Sequence, residues 1–249
     1  MGDTAGREHD AGTVLVMTDS TAARGIAVTP STADHPSDDP GPTAGRLLAV
    51  TIAAVGPLAV AAIRLLLPSD TTDDSAIVVA KTLTHPELQA AVLWLDYLAL
   101  LTLPLAVLLV ATRAVRAAPV LGGIGAVVAW LGFATLPWTA ALDPVPLAAR
   151  DAGIGADASA RLLDALAVVG PGGIESAVFV AGHVLGTVLL GLALWRAVPR
   201  WVAVVVAVSQ PLHFVAAVVL ASHVLDAVAW ALTALGFAAT VALARPARS

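Results

Sequence analysis

The sequence contains no cysteine, which excludes disulfides, thiolate metal sites and cysteine nucleophiles. Charged residues make up only 12% of the 249 residues, and aromatic residues only 4%. Lysine occurs once, at Lys81, and no basic patch of the kind that binds nucleic acid is present. So few charges cannot cover the surface of an ordinary soluble domain.

Long apolar stretches fill the chain instead, and 58% of the residues are hydrophobic. After residue 45 they form six stretches, at 47–67, 88–112, 120–142, 174–195, 201–222 and 224–244. Each is long enough to cross about 30 Å of hydrocarbon as a tilted helix. Strands are excluded because apolar and polar residues do not alternate and because an open sheet edge would leave backbone groups unpaired in lipid. The sequence predicts an all-α, polytopic transmembrane bundle of residues 46–249, with the lipid bilayer as its partner.

Arginine placement predicts the orientation of this bundle. Arginines near the ends of the stretches fall in alternate loops, at Arg46, Arg113, Arg116, Arg196, Arg200, Arg245 and Arg248. Because such residues stay on the cytoplasmic side, both termini are expected in the cytoplasm. A composition rich in arginine and poor in lysine is typical of a GC-rich bacterial genome, so the expected location is the bacterial plasma membrane.

Residues 1–45 differ in kind from the rest. They include a polar run, 34–42, that is rich in aspartate and proline and cannot bury a core, so we predict a disordered tail. The first apolar stretch begins too late and runs too long for a cleaved signal peptide and is expected to act as an uncleaved anchor. Met17 is an alternative start to Met1.

The two longer loops on the predicted outer side are expected to contain helices. In the second, Asp157 is placed to cap a helix with the apolar stripe Leu162, Leu163, Leu166 and Val169, ended by Gly170. The first loop has a weaker pattern of the same kind at 75–83. These helices are interpreted either as covers over the bundle or as a substrate lid.

Polar residues inside the apolar stretches are the candidate site. Counting about 1.5 Å per residue places Asp96, His183 and His213 at a similar depth on three helices. Ser209 and Gln210 share a helix face with His213. These five residues are predicted to form an intramembrane binding or proton site. Charges nearer the outer surface are Arg64, Glu175, His223 and Asp226.

Other roles for these residues stay open. Each histidine is also explained as a neutral group that joins two helices by one hydrogen bond. His183 and His213 could ligate a haem between facing helices. Together with Asp96 they have the ligand types of a zinc site with one open position. No further metal ligand is indicated.

Proline interrupts four of the stretches, at Pro57, Pro104, Pro137 and Pro211. A proline in a transmembrane helix produces either a simple kink or an unwound segment that can coordinate a substrate. The pattern allows both at each position.

One segment resembles a known group of proteins. Gly182, Gly186 and Gly191, followed by Arg196 and by Pro199-Arg200-Trp201, resemble the corresponding part of uncharacterised actinobacterial-type six-span membrane proteins in families of unknown function. In those, a glycine-spaced span ends in an arginine and a Pro-Arg-Trp inner loop. The resemblance covers about two spans and implies the six-span fold without any activity.

The sequence therefore favours an integral membrane protein without enzymatic activity. It is interpreted as a small permease or as an accessory subunit that binds another membrane protein or a second copy of itself. The alternative is an intramembrane redox or metal-dependent enzyme that uses Asp96, His183 and His213.

Overall fold

A computed structural model describes residues 42–170 and 172–244. Met17, Arg245, Arg248 and nearly all of the predicted tail lie outside the described residues. The first helix already begins at Pro42, so residues 42–45 belong to the helix rather than to the tail.

All regular elements of the described residues are helices. In chain order they are α1 (Pro42–Leu66), α2 (Ser75–Thr84), α3 (Pro86–Ala117), α4 (Pro119–Ala134), α5 (Leu136–Ala140), α6 (Val145–Asp151), α7 (Ala156–Val168), α8 (Gly172–Leu194), α9 (Arg200–Phe214) and α10 (His223–Leu243), with a π-helical turn (Val215–Val219) at the end of α9. Six segments are long and apolar enough to cross a membrane: Thr43–Leu66, Pro86–Ala117, Pro119–Asp151, Gly172–Leu194, Arg200–Val219 and His223–Leu243. The predicted all-α, six-span class is confirmed, and the chain is compatible with an integral membrane protein.

The six spans form a closed ring. Each span packs against the next one along the chain, and α10 packs against α1. Small side chains such as Ala106, Ala114 and Ala203 lie in the core, where they let the helices approach closely. Large apolar side chains such as Leu101 and Leu131 are exposed on the outside. This distribution suits a bundle whose outer surface contacts lipid rather than water.

The third span is not the single helix that we predicted over 120–142. Helix α4 ends at Ala134, and α5 and α6 continue the chain as two short helices. Pro137, in the first turn of α5, has no N–H to continue the hydrogen-bond ladder. The Thr135 hydroxyl donates to the Gly132 carbonyl at 2.6 Å and satisfies a carbonyl at the break.

The fifth span is also irregular. Pro211 lies inside α9, and the π-helical turn follows four residues later. The chain then reverses within a few residues, with Ala221 at a φ of +44°. The Ser222 hydroxyl accepts from the Leu225 N–H at 3.4 Å and caps α10. The short hairpin before the sixth span is thereby formed.

The end of the bundle that carries α2, α5, α6 and α7 is called the loop end here. Helix α2 matches the prediction for the first loop, and its first turn is capped by Asp74, which accepts from the Ile77 N–H at 2.9 Å. Val79 of α2 packs with Leu163 of α7, and the Ser75 hydroxyl donates to Asp164 at 2.6 Å. The two loop helices therefore form one layer.

Helix α7 corrects two details of the prediction. Its N-cap is Gly155, and Asp157 lies in the first turn, where a negative charge favours the helix dipole without capping it. Of the predicted apolar stripe only Leu163 is buried. Leu162 is exposed, and so is Val169, which follows the end of the helix at Val168. Gly170 follows with a φ of +57°, in line with its expected role as the stop.

Helices α4 and α8 touch through glycines. A Cβ atom on Gly132 would lie 2.3 Å from the His183 backbone nitrogen, and one on Gly182 would lie 2.5 Å from the Gly132 Cα. A Cβ atom on Gly186 would meet the Ala129 Cα at 2.4 Å. Because backbone atoms cannot move aside as a flexible side chain can, this close approach sets the position of His183 in the bundle.

Replacing Gly132 by alanine is expected to lower the stability of the protein in detergent by about 1–3 kcal/mol, the usual cost of overpacking. The measurement is thermal unfolding followed by tryptophan fluorescence. Gly123→Ala is the matched control on the same helix, because nothing lies within 4 Å of its added Cβ. Equal melting temperatures for the two variants would contradict the close packing of α4 on α8.

Candidate functional site

A cavity of about 320 Å³ opens inside the bundle at the loop end. Its walls come from α1, α3, α5, α8, α9 and the π-helical turn, and α2 and α6 contribute residues on the loop side. Its size falls in the range of small-molecule sites. The ionisable side chains that line it are Arg64, Asp70, Asp96, Asp143, His183 and His213.

Asp226, in the first turn of α10, joins three helices beside this cavity. Its Oδ2 lies 3.3 Å from the Arg64 Nε of α1, an ion pair by distance although it is not aligned as a hydrogen bond. Its Oδ1 contacts the Nδ1 of His213 on α9. Asp226 is 2% exposed and His213 is 6% exposed. Because a buried carboxylate is stable only with such partners, Asp226 constrains the relative positions of α1, α9 and α10.

The contacts of His213 fix its tautomer. Its Nδ1 faces both Asp226 and the Trp230 Nε1, which lies 3.1 Å away. One imidazole nitrogen cannot donate to the carboxylate and accept from the indole at the same time. Since the carboxylate paired with Arg64 is an acceptor, Nδ1 carries the proton and donates to Asp226. Trp230 therefore contributes packing, with ring centroids 5.2 Å apart.

His183 has one nitrogen without a protein partner. Its Nδ1 donates to the Phe179 carbonyl one turn earlier on α8, which leaves Nε2 as the acceptor of a neutral ring. The Nε2 atom is buried and makes no hydrogen bond, and the residue is 1% exposed. The rings of Phe179 and His213 pack on it at centroid distances of 4.3 and 5.4 Å.

Asp96 of α3 and Asp143, between α5 and α6, form a carboxyl pair on another wall. Both residues line the cavity. The Asp96 Oδ2 is buried and has no hydrogen-bond partner. The Gln89 amide donates to the Asp143 carbonyl at 2.9 Å and holds this link against α3. Within 42–170 and 172–244, neither carboxyl group forms an ion pair with a basic side chain.

Ion pairs to Lys81 and His223 hold the segment between α1 and α2 over the cavity. Asp70 accepts from the Lys81 Nζ at 2.9 Å, and its other carboxylate oxygen lies 2.8 Å from the His223 Nε2. Lys81 also donates to Asp73 at 2.7 Å, and this hydrogen bond lowers the pKa of Asp73 and raises that of Lys81. The charge of Asp70 is thus balanced locally.

The predicted site residues fall into separate groups. His183 and His213 come together, and Asp96 lines the same cavity without a hydrogen bond to either. Gln210 donates to Thr233 of α10 at 2.7 Å, and the Ser209 hydroxyl donates to the Val206 carbonyl of its own helix at 3.4 Å. Neither Ser209 nor Gln210 lines the cavity.

The residues predicted as outer-face charges are connected to this site. Arg64 and Asp226 contact each other, and His223 binds Asp70. Glu175 is buried and accepts from the Thr139 hydroxyl of α5. Sequence reasoning missed Asp143, which comes directly after the predicted third stretch, 120–142. The available signal was its place before Pro144 and Pro146, at the point where a proline-broken span ends.

The geometry does not suit the two metal centres considered from the sequence. Among the described residues, no three His, Cys, Asp or Glu side chains are grouped to hold a metal ion. The rings of His183 and His213 pack directly on each other, and Phe133 and Trp230 contact them from other sides. This packing leaves no slot for a porphyrin between the two imidazoles.

Comparison with protein-family models, with curated proteins and with solved structures finds no match to this chain. Function is therefore argued from the cavity itself.

His213 and Asp226 are expected to be energetically coupled. In a double-mutant cycle of His213→Gln and Asp226→Asn, the coupling energy should reach about 0.5–3 kcal/mol, because the two side chains are in contact. The measurement is thermal unfolding in detergent. The control cycle pairs His213→Gln with Asp164→Asn on α7 and should be additive within about 0.5 kcal/mol. Additivity in the first cycle would show that the buried contact does not form.

Proposed function

We propose that this protein is a small membrane permease that binds its solute in the loop-end cavity. The observation that supports this most is that both irregular spans line the cavity. Leu136, Thr139 and Asp143 come from the break in the third span, and Ala217 and Val218 come from the π-helical turn of the fifth. Irregular backbone at membrane depth is tolerated where it lines a cavity, and solute sites of transporters are typically built from broken helices.

The contents of the cavity support the same proposal. Outside the cavity, the Gln210 amide nitrogen donates to the Thr233 hydroxyl, and the Gln210 Oε1 is buried without a partner. The Nε2 of His183 and the Oδ2 of Asp96 also have no protein partner, but these two residues line a cavity that can hold a ligand. Leaving such groups buried and unpaired costs about 1–3 kcal/mol each, and a bound solute or solvent would recover this cost. In a permease, such unpaired polar groups are available to bind the solute.

The proposal includes an orientation. We place both termini in the cytoplasm of a bacterium and the loop end, with its cavity, on the outer side of the plasma membrane. The support is the arginine distribution, since Arg113, Arg116, Arg196 and Arg200 all lie in links at the opposite end from α2, α6 and α7.

Cysteine labelling tests this orientation in a background that has no cysteine of its own. Asp157→Cys on α7 is expected to react with a membrane-impermeant maleimide on intact cells. Arg116→Cys at the end of α3 should react only after the cells are permeabilised. Both positions are exposed, so a difference in reaction reports the side of the membrane. The reverse pattern would overturn the proposed orientation.

Solute binding is tested by a thermal-shift screen against a chemically broad panel of sugars, amino acids, amines, carboxylates, nucleosides and alcohols. At least one compound should raise the melting temperature, because a ligand that binds only the folded state stabilises it. Ala99→Phe, which fills the cavity from α3, should abolish the shift. Ala90→Phe is the matched control at an exposed position of α3 and should preserve it. Equal shifts in the two variants would place binding elsewhere, and no shift with any compound would contradict the permease proposal.

A further inference from the structure

The charges around the cavity are not balanced at the Asp96–Asp143 pair. Arg64 is already paired with Asp226 and lies 3.5 Å from the Thr71 hydroxyl. Asp70 is paired with Lys81. Two carboxyl groups that line one cavity repel when both are ionised, and a proton or a cation relieves this repulsion. A cationic ligand at this wall would supply the positive charge that a proton on one carboxyl group supplies otherwise.

Two uncommitted polar atoms of the cavity lining are acceptors, whereas the third, the Arg64 Nε, lies 3.3 Å from Asp226. The buried Oδ2 of Asp96 accepts hydrogen bonds, and so does the Nε2 of His183, because the proton of this ring is on Nδ1. His183 is independent evidence for a ligand, since it is almost fully buried, lines the same cavity and is on a different helix from either aspartate. A ligand that satisfies these atoms must present N–H or O–H donors.

The remaining walls are apolar. Val60, Ile63, Leu100, Phe179 and Val180 line the cavity beside the polar groups. A bare metal ion would leave these walls without a partner, and the cavity, at about 320 Å³, is far larger than such an ion. An aromatic face such as that of Phe179 also attracts an organic cation. Volume, walls and acceptors together describe a protonated amine or amidine on an apolar body.

We infer that the solute of this cavity is an organic cation, whose charged nitrogen binds between Asp96 and Asp143 and donates to the Nε2 of His183. This inference rests on the proposed function and adds the chemical class of its substrate. The ion pair with Asp226 neutralises the Arg64 guanidinium, which would repel a cationic ligand if it were free in the same cavity.

The test compares three probes of similar shape: 2-phenylethylammonium, the neutral 2-phenylethanol and the anionic 3-phenylpropanoate. Affinity is measured in detergent by thermal shift and by isothermal titration. The ammonium compound should bind wild-type protein, and the other two should bind at least about tenfold more weakly. Neither of them offers the buried carboxylates a positive partner, and leaving a buried charge unpaired lowers affinity by about this factor or more. Asp96→Asn and Asp143→Asn should each weaken ammonium binding by about tenfold or more.

Controls separate loss of binding from loss of folding. Asparagine matches aspartate in shape, and the melting temperature of each variant without ligand shows whether it folds. Asp157→Asn removes an exposed aspartate of α7 that does not line the cavity, and it should bind the ammonium compound as wild type does. His183→Phe keeps an aromatic ring in place, removes the acceptor and should weaken the ammonium compound more than the alcohol.

Each contrary result has a distinct meaning. Binding of the alcohol or the carboxylate as tight as that of the ammonium compound would overturn the cation assignment and leave solute binding intact. Unchanged ammonium affinity in folded Asp96→Asn and Asp143→Asn variants would also overturn the cation assignment and leave solute binding intact. If none of the three probes binds and the only compounds of the broad panel that bind carry no positive charge, the organic-cation class is wrong and the permease proposal stands. Absence of binding across that whole panel would overturn both.

Discussion

The buried carboxylate of Asp226 determines how the ring of helices closes. It lies in the first turn of α10, where the helix dipole favours a negative charge, and it contacts both Arg64 and His213. These contacts join the first, fifth and sixth spans at the loop end. Removing a charge from water costs several kcal/mol unless good partners replace the lost hydration. The α1 to α10 contact and the rotation of α9 are consequently tied to one side chain.

The backbone of the broken spans imposes a second constraint. In lipid an unpaired N–H or C=O group has no water to bind, so a break is stable only where protein groups satisfy it. Thr135 does this for the third span, and Ser222 does it at the start of α10. Both breaks lie toward the end where α2, α6 and α7 cover the bundle. The same covering layer that protects irregular backbone also encloses a space in which polar side chains can remain unpaired.

Hydropathy alone predicted the six spans, because transfer into lipid depends on the composition of a whole stretch and little on its neighbours. Depth counting placed His183 and His213 at one level, and they do contact each other. The same counting also grouped Asp96 with them, although Asp96 lines the cavity without a hydrogen bond to either histidine. Depth is one coordinate, and the rotation of each helix, which decides what a side chain faces, is set by packing such as the glycine contact of α4 with α8. The sequence could not supply that rotation.

The two histidines show why burial alone does not define a role. His213 joins α9 to α10 through Asp226, which is the helix-joining role that sequence reasoning allowed for either residue. His183 bonds only to the carbonyl of Phe179 on its own helix, so it joins no neighbour by a hydrogen bond. A phenylalanine would pack between the same aromatic rings without burying an unpaired nitrogen. The proposed ligand, which donates to Nε2, would give the imidazole a partner that the packing does not supply.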